Sequence, residues 1–424
     1  MANINKVDPQ IAKLISQEKK RQKKGLVLIP SENFVSKAIL EALGSICTNK
    51  YSEGYPDKRY YSGNKYIDKI EKIAQERAKK IFNAEHANVQ PYSGSPANLA
   101  VYLALAKPGD TIMGMSLSQG GHLTHGHKVN ISGKLFNFVQ YGVDKKTHLI
   151  DYDQIEKLAK KYRPKIIVSG ATAYSRIIKF KKIHKIAHKV GAISMADISH
   201  IAGLIVAKCH PSPLPFTDIV TTTTHKTLRG PRGAIILCKK EYATDIDKMV
   251  FPGLQGGPHE NNIAGIAVAL KEASRKSFQK YGEQIIKNSK ALAQSLKEQG
   301  LNLISNGTDN HLVLVDLTKD KITGSQAEKV LEKMKIYVNK NTIPNDTHSP
   351  FNPSGIRLGT PALTTQGFKE KEMKIIGELI AQVIHNVDSP KILKQIKQKV
   401  KKLIISHDIK WQKNSRTNQK TIKE

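Results

Sequence analysis

Lys226 sits where a lysine can do carbonyl chemistry, in the stretch Thr221-Thr222-Thr223-Thr224-His225-Lys226-Thr227-Leu228-Arg229-Gly230-Pro231. Ile219 and Val220 open a β-branched run and Gly230-Pro231 breaks it, so the lysine falls just past a strand end. Desolvated there, it can lose its proton and attack a carbonyl carbon to form a Schiff base. On this stretch alone a solvated surface lysine is an equal reading. Other reactive types recur after similar runs. Thr172 follows Ile166–Ser169, and Asp197 and His200 follow Ala192–Ala196. The turn Pro91-Tyr92-Ser93-Gly94-Ser95-Pro96 leads into an apolar helical stretch, Leu99–Ala106. Hydroxyls and free N–H groups at a helix start make an anion site.

These groups need a frame, and the chain supplies one by alternating strand and helix patterns. Expected strands are Asp110–Met115, Ile166–Ser169, Ala192–Ala196, Ile219–Thr223 and Ala234–Cys238, with a helix over Lys182–Val190. Such alternation predicts an α/β fold with a mostly parallel sheet covered on both faces. Carboxyl ends of parallel strands open into one crevice, which would gather Thr172, Asp197, His200 and Lys226. Upstream, residues 7–24 read as an amphipathic helix with Ile11, Leu14 and Ile15 on its apolar side. Lys65–Phe82 reads as a helix marked by Ile67, Ile70, Ile73 and Ile81. The tyrosine-rich stretch from Lys50 to Gly63 has neither period and reads as an ordered binding loop. Downstream a smaller α+β unit is expected, with strand His311–Leu317, helix Ser325–Lys335 and a turn-rich segment from Asn339 to Gly359. The division is an N-terminal arm (1–50), a large domain (51–280), a small C-terminal domain (281–406) and a basic, disordered tail (407–424).

The 424 residues carry a formal charge of +32 and only three cysteines, Cys47, Cys209 and Cys238. Widely spaced cysteines make no disulfide framework, and no apolar run approaches a membrane span. A cytoplasmic protein with no membrane partner is therefore expected. The lysines are scattered rather than gathered into an aromatic-interleaved patch, so nucleic-acid binding is not expected despite the charge. Gly120-Gly121-His122-Leu123-Thr124-His125-Gly126-His127 tempts a metal reading. No cysteine or carboxylate lies close in sequence to complete a ligand set, so no metal is expected.

A lysine, a carboxylate, an anion cradle and a ring-hydroxyl partner are what pyridoxal 5′-phosphate needs from a protein. Lys226, Asp197, Ser93–Ser95 and Thr172 or His200 supply them in that order. Arg357 has the fork to grip an amino-acid carboxylate with two parallel hydrogen bonds. Dinucleotide and P-loop fingerprints and the serine nucleophile elbow are absent from the sequence.

At these residues the chain resembles the serine hydroxymethyltransferase family of pyridoxal-phosphate enzymes, fold type I. Matching stretches include Ser31-Glu32-Asn33, Asn49-Lys50-Tyr51 with Glu53-Gly54-Tyr55-Pro56, Lys58-Arg59-Tyr60-Tyr61, Gly120–Gly126, Thr221–Lys226 with Gly230-Pro231-Arg232-Gly233, Gln255-Gly256-Gly257-Pro258, Gly307–Leu312, Val338–Asn341 and Gly355-Ile356-Arg357. The resemblance implies a seven-stranded-type sheet and roles position by position. Lys226 would hold the cofactor as an aldimine, Asp197 would pair with the pyridine nitrogen, and His122 would stack on the ring. Thr172 and His200 would lie near the ring hydroxyl. Ser93, Gly94, Ser95 and His225 would contact the phosphate, with Gly256 and Gly257 reaching a neighbouring subunit's phosphate. Ser31 and Arg357 would hold the substrate carboxylate. Tyr51, Glu53 and Tyr61 would be presented across a dimer interface, with Glu53 moving protons. Folate would meet Leu117, Gly121, His122, Leu123, Ser349, Pro350 and Phe351.

The implied reaction interconverts serine and glycine, passing the hydroxymethyl carbon to the co-substrate tetrahydrofolate to give 5,10-methylenetetrahydrofolate. The implied assembly is a homodimer, with a tetramer as the alternative. Tyr92, Pro96, Gln119, Ser199 and Pro30 depart from the usual pattern without removing a catalytic group. A folate-independent aldolase and a charge-driven binding protein are the competing readings.

Overall fold

A computed structural model describes residues 2–407 of the chain. Seven strands form its central sheet. From edge to edge they are His86–Asn88, Ala234–Cys238, Ile219–Thr223, Ile193–Asp197, Ile166–Ser169, Thr111–Met115 and Asn137–Tyr141. Only Ala234–Cys238 runs antiparallel to its neighbours, so the sheet is mixed and mostly parallel. Ile166–Ser169, Ile219–Thr223 and Ala234–Cys238 are buried along their whole length, as strands covered on both faces must be. On one face Val220, Ile235 and Leu237 pack with Ile183, Ile186, Ile266 and Leu270 of flanking helices. Ala97, Val101 and Tyr102 cover the other face, against Ile112, Val168, Ile219 and Ile236.

A second, antiparallel sheet runs Asn302–Leu303, Leu312–Asp316, Gly355–Gly359, Asn339–Asn341, with its own core beneath the helices Lys276–Glu298 and Glu370–His385. Leu26–Val27 pairs in parallel with Ile336–Tyr337, so the N-terminal segment is stitched to this unit.

Several expectations need correction. The segment read as turn-rich contains two strands, and Gly355–Gly359 is buried throughout; its flanking glycines and central Arg357 hide a strand pattern. The edge strand Asn137–Tyr141 and the helix Tyr152–Tyr162 have no counterpart among the expected elements, and the strand's residues, Asn-Phe-Val-Gln-Tyr, do not alternate apolar with polar. The N-terminal helix forms over Pro9–Lys23, but Ile11, Leu14 and Ile15 are exposed and only Ala12 is buried. On Lys65–Phe82, Ile67 is buried whereas Ile73 faces solvent. The helix expected from Leu99 begins at Gly94, so the Ser-Gly-Ser turn is its first turn. His407 is not loose: its ring stacks on Phe368 at 4.4 Å, while the rest of the expected tail, 408–424, lies outside the described residues. No helix among the described residues is long and apolar enough to cross a membrane.

Candidate active site

Where the parallel strands end, a cavity of about 250 Å³ opens. Its wall carries Ser31, Ser93, Gly94, Ser95, His122, Thr172, Asp197, His200, His225 and Lys226, together with His125, Ser199 and Arg232. Two glycines make the convergence possible. A Cβ on Gly94 would lie 2.8 Å from Thr223 Cγ2, so only glycine lets this helix start approach the Ile219–Thr223 strand. Gly170 turns the chain past Asp197 at φ +124°, where a Cβ would collide with the Asp197 carbonyl oxygen. Ser93 caps the helix without a side-chain hydrogen bond, leaving first-turn N–H groups beside the cavity.

Desolvation pushes the Lys226 ammonium down to about 8. Asp197 opposes that shift, and the charges of Arg357 and Arg232 reinforce it. Among the described residues Lys226 forms no ion pair, and its backbone carbonyl is pinned by Asn33 Nδ2 at 2.9 Å. Burial would raise Asp197, but His125 and Ser199 outweigh it and hold the carboxyl well below its ordinary range. Its Oδ1 accepts from Ser199 N at 3.0 Å and its Oδ2 from Asn98 Nδ2 at 2.9 Å. His125 Nδ1 accepts the His122 backbone N–H, which leaves the proton on Nε2, 3.6 Å from Asp197 Oδ2. Desolvation lowers His122 to about 4, so it is neutral at ordinary pH.

Arg357 lies buried on the second sheet. Its Nε donates to Asn339 Oδ1 at 3.1 Å and its Nη1 to the Thr172 carbonyl at 2.5 Å. No carboxylate pairs with it among the described residues, and desolvation lowers it to about 10. A buried guanidinium without a counter-ion is a waiting anion site.

The remaining predicted residues do not join this wall. Tyr51 OH donates to Glu53 Oε1 at 3.2 Å, and the Tyr51 and Tyr61 rings meet edge-on at 5.0 Å. Gly256 and Gly257 approach the same group, since a Cβ on them would lie 3.1 Å from Glu53 and 3.3 Å from Tyr51. Tyr51 and Tyr61 are exposed. Leu117 and Pro350 share a separate cleft of about 650 Å³, whereas Leu123 and Phe351 are exposed and Gly121 packs on the Met115 carbonyl. Ser349 lies on the same exposed loop as Pro350.

A family model described as serine hydroxymethyltransferase matches residues 4–380. The chain belongs to the serine hydroxymethyltransferase family. Members are pyridoxal-phosphate enzymes of fold type I with glycine hydroxymethyltransferase activity, and they interconvert serine and glycine using tetrahydrofolate as co-substrate.

The residues present fit the cofactor. His200 Nε2 and His225 Nδ1 are buried without partners, and both side chains line the cavity that also holds the unpaired Lys226. Four further side chains, not among the expected site residues, complete the site. Asn98 joins Asp197 to Thr124 and Thr221 through three hydrogen bonds. His125 backs Asp197, Asn33 fixes the Lys226 backbone, and His311 Nε2 lies 3.2 Å from His200 Nδ1. Asn33, His125 and His311 stand inside the motifs that carried the resemblance, so their places were visible although their contacts were not. Ser199, a departure from the family pattern, uses its hydroxyl to accept the Thr223 N–H at 3.1 Å. Tyr92, another, stacks on His259 at 4.1 Å and donates to the Gly257 carbonyl.

Proposed function

We propose that this chain moves the hydroxymethyl carbon of serine to tetrahydrofolate, yielding glycine and 5,10-methylenetetrahydrofolate, with Lys226 as the residue that holds pyridoxal phosphate. The observation that carries this reading is a desolvated, unpaired Lys226 beside an anionic Asp197 and an open helix start. When bound, the cofactor supplies an electron sink for the bond broken at the substrate α-carbon. Asp197, kept ionised by its donors, would face the pyridine nitrogen and favour its protonated form. Neutral His122 would lie over the ring, and Thr172 and His200 beside the ring hydroxyl. Ser93, Gly94, Ser95 and His225 would bind the phosphate at the helix start. Arg357, with Ser31, would take the substrate carboxylate; that no carboxylate pairs with its guanidinium among the described residues supports that role.

Glu53 would hold and pass the proton between the hydroxymethyl group and folate. Because Tyr51, Glu53, Tyr61, Gly256 and Gly257 cluster away from the Lys226 cavity and expose the tyrosines, we place them in the cavity of a second subunit of a homodimer. Leu117 and Pro350, sharing one cleft, would contact folate, with Gly121, Leu123, Ser349 and Phe351 around them.

Serine cleavage measured with and without tetrahydrofolate tests the reading, alongside the visible absorbance of the cofactor-loaded protein. The expected result is a folate-dependent reaction and a yellow band lost in Lys226→Ala. Folate-independent serine cleavage at an equal rate would favour the aldolase reading, and a colourless wild-type protein would overturn the proposal.

A further inference from the structure

Away from the cavity, at the opposite ends of the same strands, three metal-ligating side chains converge. His184 and His188 are four residues apart on the helix Phe180–Lys189, with ring centroids 4.1 Å apart. Asp218 immediately precedes the strand Ile219–Thr223. One ring nitrogen from each histidine and one Asp218 oxygen all lie within 4.8 Å of one another.

The hydrogen bonds around this trio define its lone pairs. Ser194 Oγ donates to Asp218 Oδ2 at 2.7 Å and accepts the Asp218 N–H at 3.1 Å. With its one proton committed, the hydroxyl accepts at His184 Nδ1, 2.9 Å away. That places the His184 proton on Nδ1 and leaves Nε2 as a lone pair, the arrangement that orients histidine ligands around metals. The Ser194 backbone N–H fixes Asp218 Oδ2 at 2.8 Å, and Lys239 takes the other oxygen, Oδ1. His188 Nε2 donates to Oδ2 at 3.0 Å, so a metal ion bound here would replace that proton, which is released to solvent. Two ligands that close, each about 2.0–2.1 Å from a shared ion, subtend roughly a right angle. His188 is half-exposed, so its ring is free to swing the few tenths of an ångström that a tetrahedral angle asks for.

We propose that His184, His188 and Asp218 form a binding site for a borderline divalent transition-metal ion such as zinc, separate from the catalytic cavity. Two imidazoles and one carboxylate are a donor set for this class rather than for calcium or magnesium. Water would complete the coordination. Bound there, the ion would bridge the helix Phe180–Lys189 to the start of the strand Ile219–Thr223, with Ser194 of the strand Ile193–Asp197 in its outer shell. Its effect is therefore on the sheet's stability rather than on turnover. The Lys239 ammonium beside Asp218 weakens the site by repulsion, which gives the proposal a second handle.

The test uses the cofactor-loaded protein, so that the catalytic cavity is filled, and titrates zinc in competition with a chromophoric chelator. Wild type is expected to bind one more equivalent than His188→Ala or His184→Ala. Its thermal midpoint should rise with added zinc, and that rise should disappear in both variants. Lys239→Gln should bind zinc at least tenfold more tightly than wild type. Without zinc, His188→Ala should keep wild-type serine–glycine exchange. Equal zinc stoichiometry in wild type and both histidine variants would overturn the site, as would a zinc-induced rise in midpoint that persists in them.

Discussion

In its proposed role Lys226 attacks an aldehyde and so has to be neutral, and burial has already moved it most of the way. Its ammonium falls from the ordinary 10.5 to about 8. At pH 7 that leaves roughly one molecule in ten neutral, against about three in ten thousand for an unshifted lysine, an advantage of about 300-fold. The apoenzyme should therefore capture added pyridoxal phosphate at a rate that climbs about tenfold per pH unit through neutrality and levels off above pH 8. Stopped-flow absorbance of the bound cofactor reads this directly. Arg357 contributes to the depression through its charge, so Arg357→Gln should move the inflection to higher pH, whereas Asp197→Asn should move it lower because Asp197 holds the proton on. A capture rate that keeps climbing past pH 10 would show that Lys226 is an ordinary solvated amine. An inflection that ignores Arg357 would show that its field does not reach the lysine.

Other perturbations follow from contacts in and around the cavity. Arg357→Lys keeps the charge but loses the fork, so the serine KM should rise roughly 30-fold, about 2 kcal/mol for one charge-assisted hydrogen bond; an unchanged KM would remove Arg357 from the carboxylate site. Asn98→Ala deprives Asp197 Oδ2 of its donor and should weaken pyridoxal phosphate binding about tenfold in a fluorescence titration, an effect absent if Asp197 does not meet the cofactor. Burial raises Glu260 from 4.5 to about 7, so its folded pKa exceeds its unfolded one and wild-type stability falls as pH rises between those values, by roughly 3 kcal/mol in all. Glu260→Gln should flatten that fall; denaturant unfolding at pH 5 and pH 8, at one protein concentration, would refute it if the two proteins lose stability in parallel.

Much of the frame could be read because its signals are local. Lys65–Phe82 and Ile219–Thr223 announce themselves by period and by β-branching, although the strand stops at Thr223, well before Gly230-Pro231. What stayed hidden depends on partners far along the chain. Arg357 sits in a buried strand whose glycines imitate a turn, and its burial comes from pairing with Leu312–Asp316. Asn98 looks like any polar residue in an apolar helix until Asp197, ninety-nine positions away, is seen to accept from it. His122, His125 and His127 suggest a metal only because they are close in sequence. In space the carboxylate beside His125 is Asp197, while the spaced pair His184 and His188 finds its acid across two strands. Periodicity locates elements, but side-chain chemistry is completed by tertiary neighbours.

The loop bearing Glu53 shows how fold energy can preset the position of a surface segment. Tyr51 and Tyr61 face solvent, yet Ser52 between Tyr51 and Glu53 is fully buried and donates to Glu260 Oε1 at 2.5 Å. Arg59 donates to the Ser52 and Gly54 carbonyls and pairs with Asp68 and Glu71, while Gln90 binds both Glu71 and the Gly54 carbonyl. A single guanidinium thus ties the loop backbone to two acids, and Glu260 opens the helix that follows the Gly256-Gly257 segment. Burying so many charges is costly unless each is hydrogen-bonded, and here nearly all are; Glu260 Oε2 lacks a partner, consistent with its raised pKa, as does the neutral Gln90 Oε1. The conformational entropy of both segments is spent on folding rather than on assembly, which leaves the backbone at Glu53 set before any partner arrives. Surface tyrosines on a mobile loop would pay that ordering cost at each encounter. In the proposed homodimer, this buried base would bring Glu53 to the second subunit's cavity already in place.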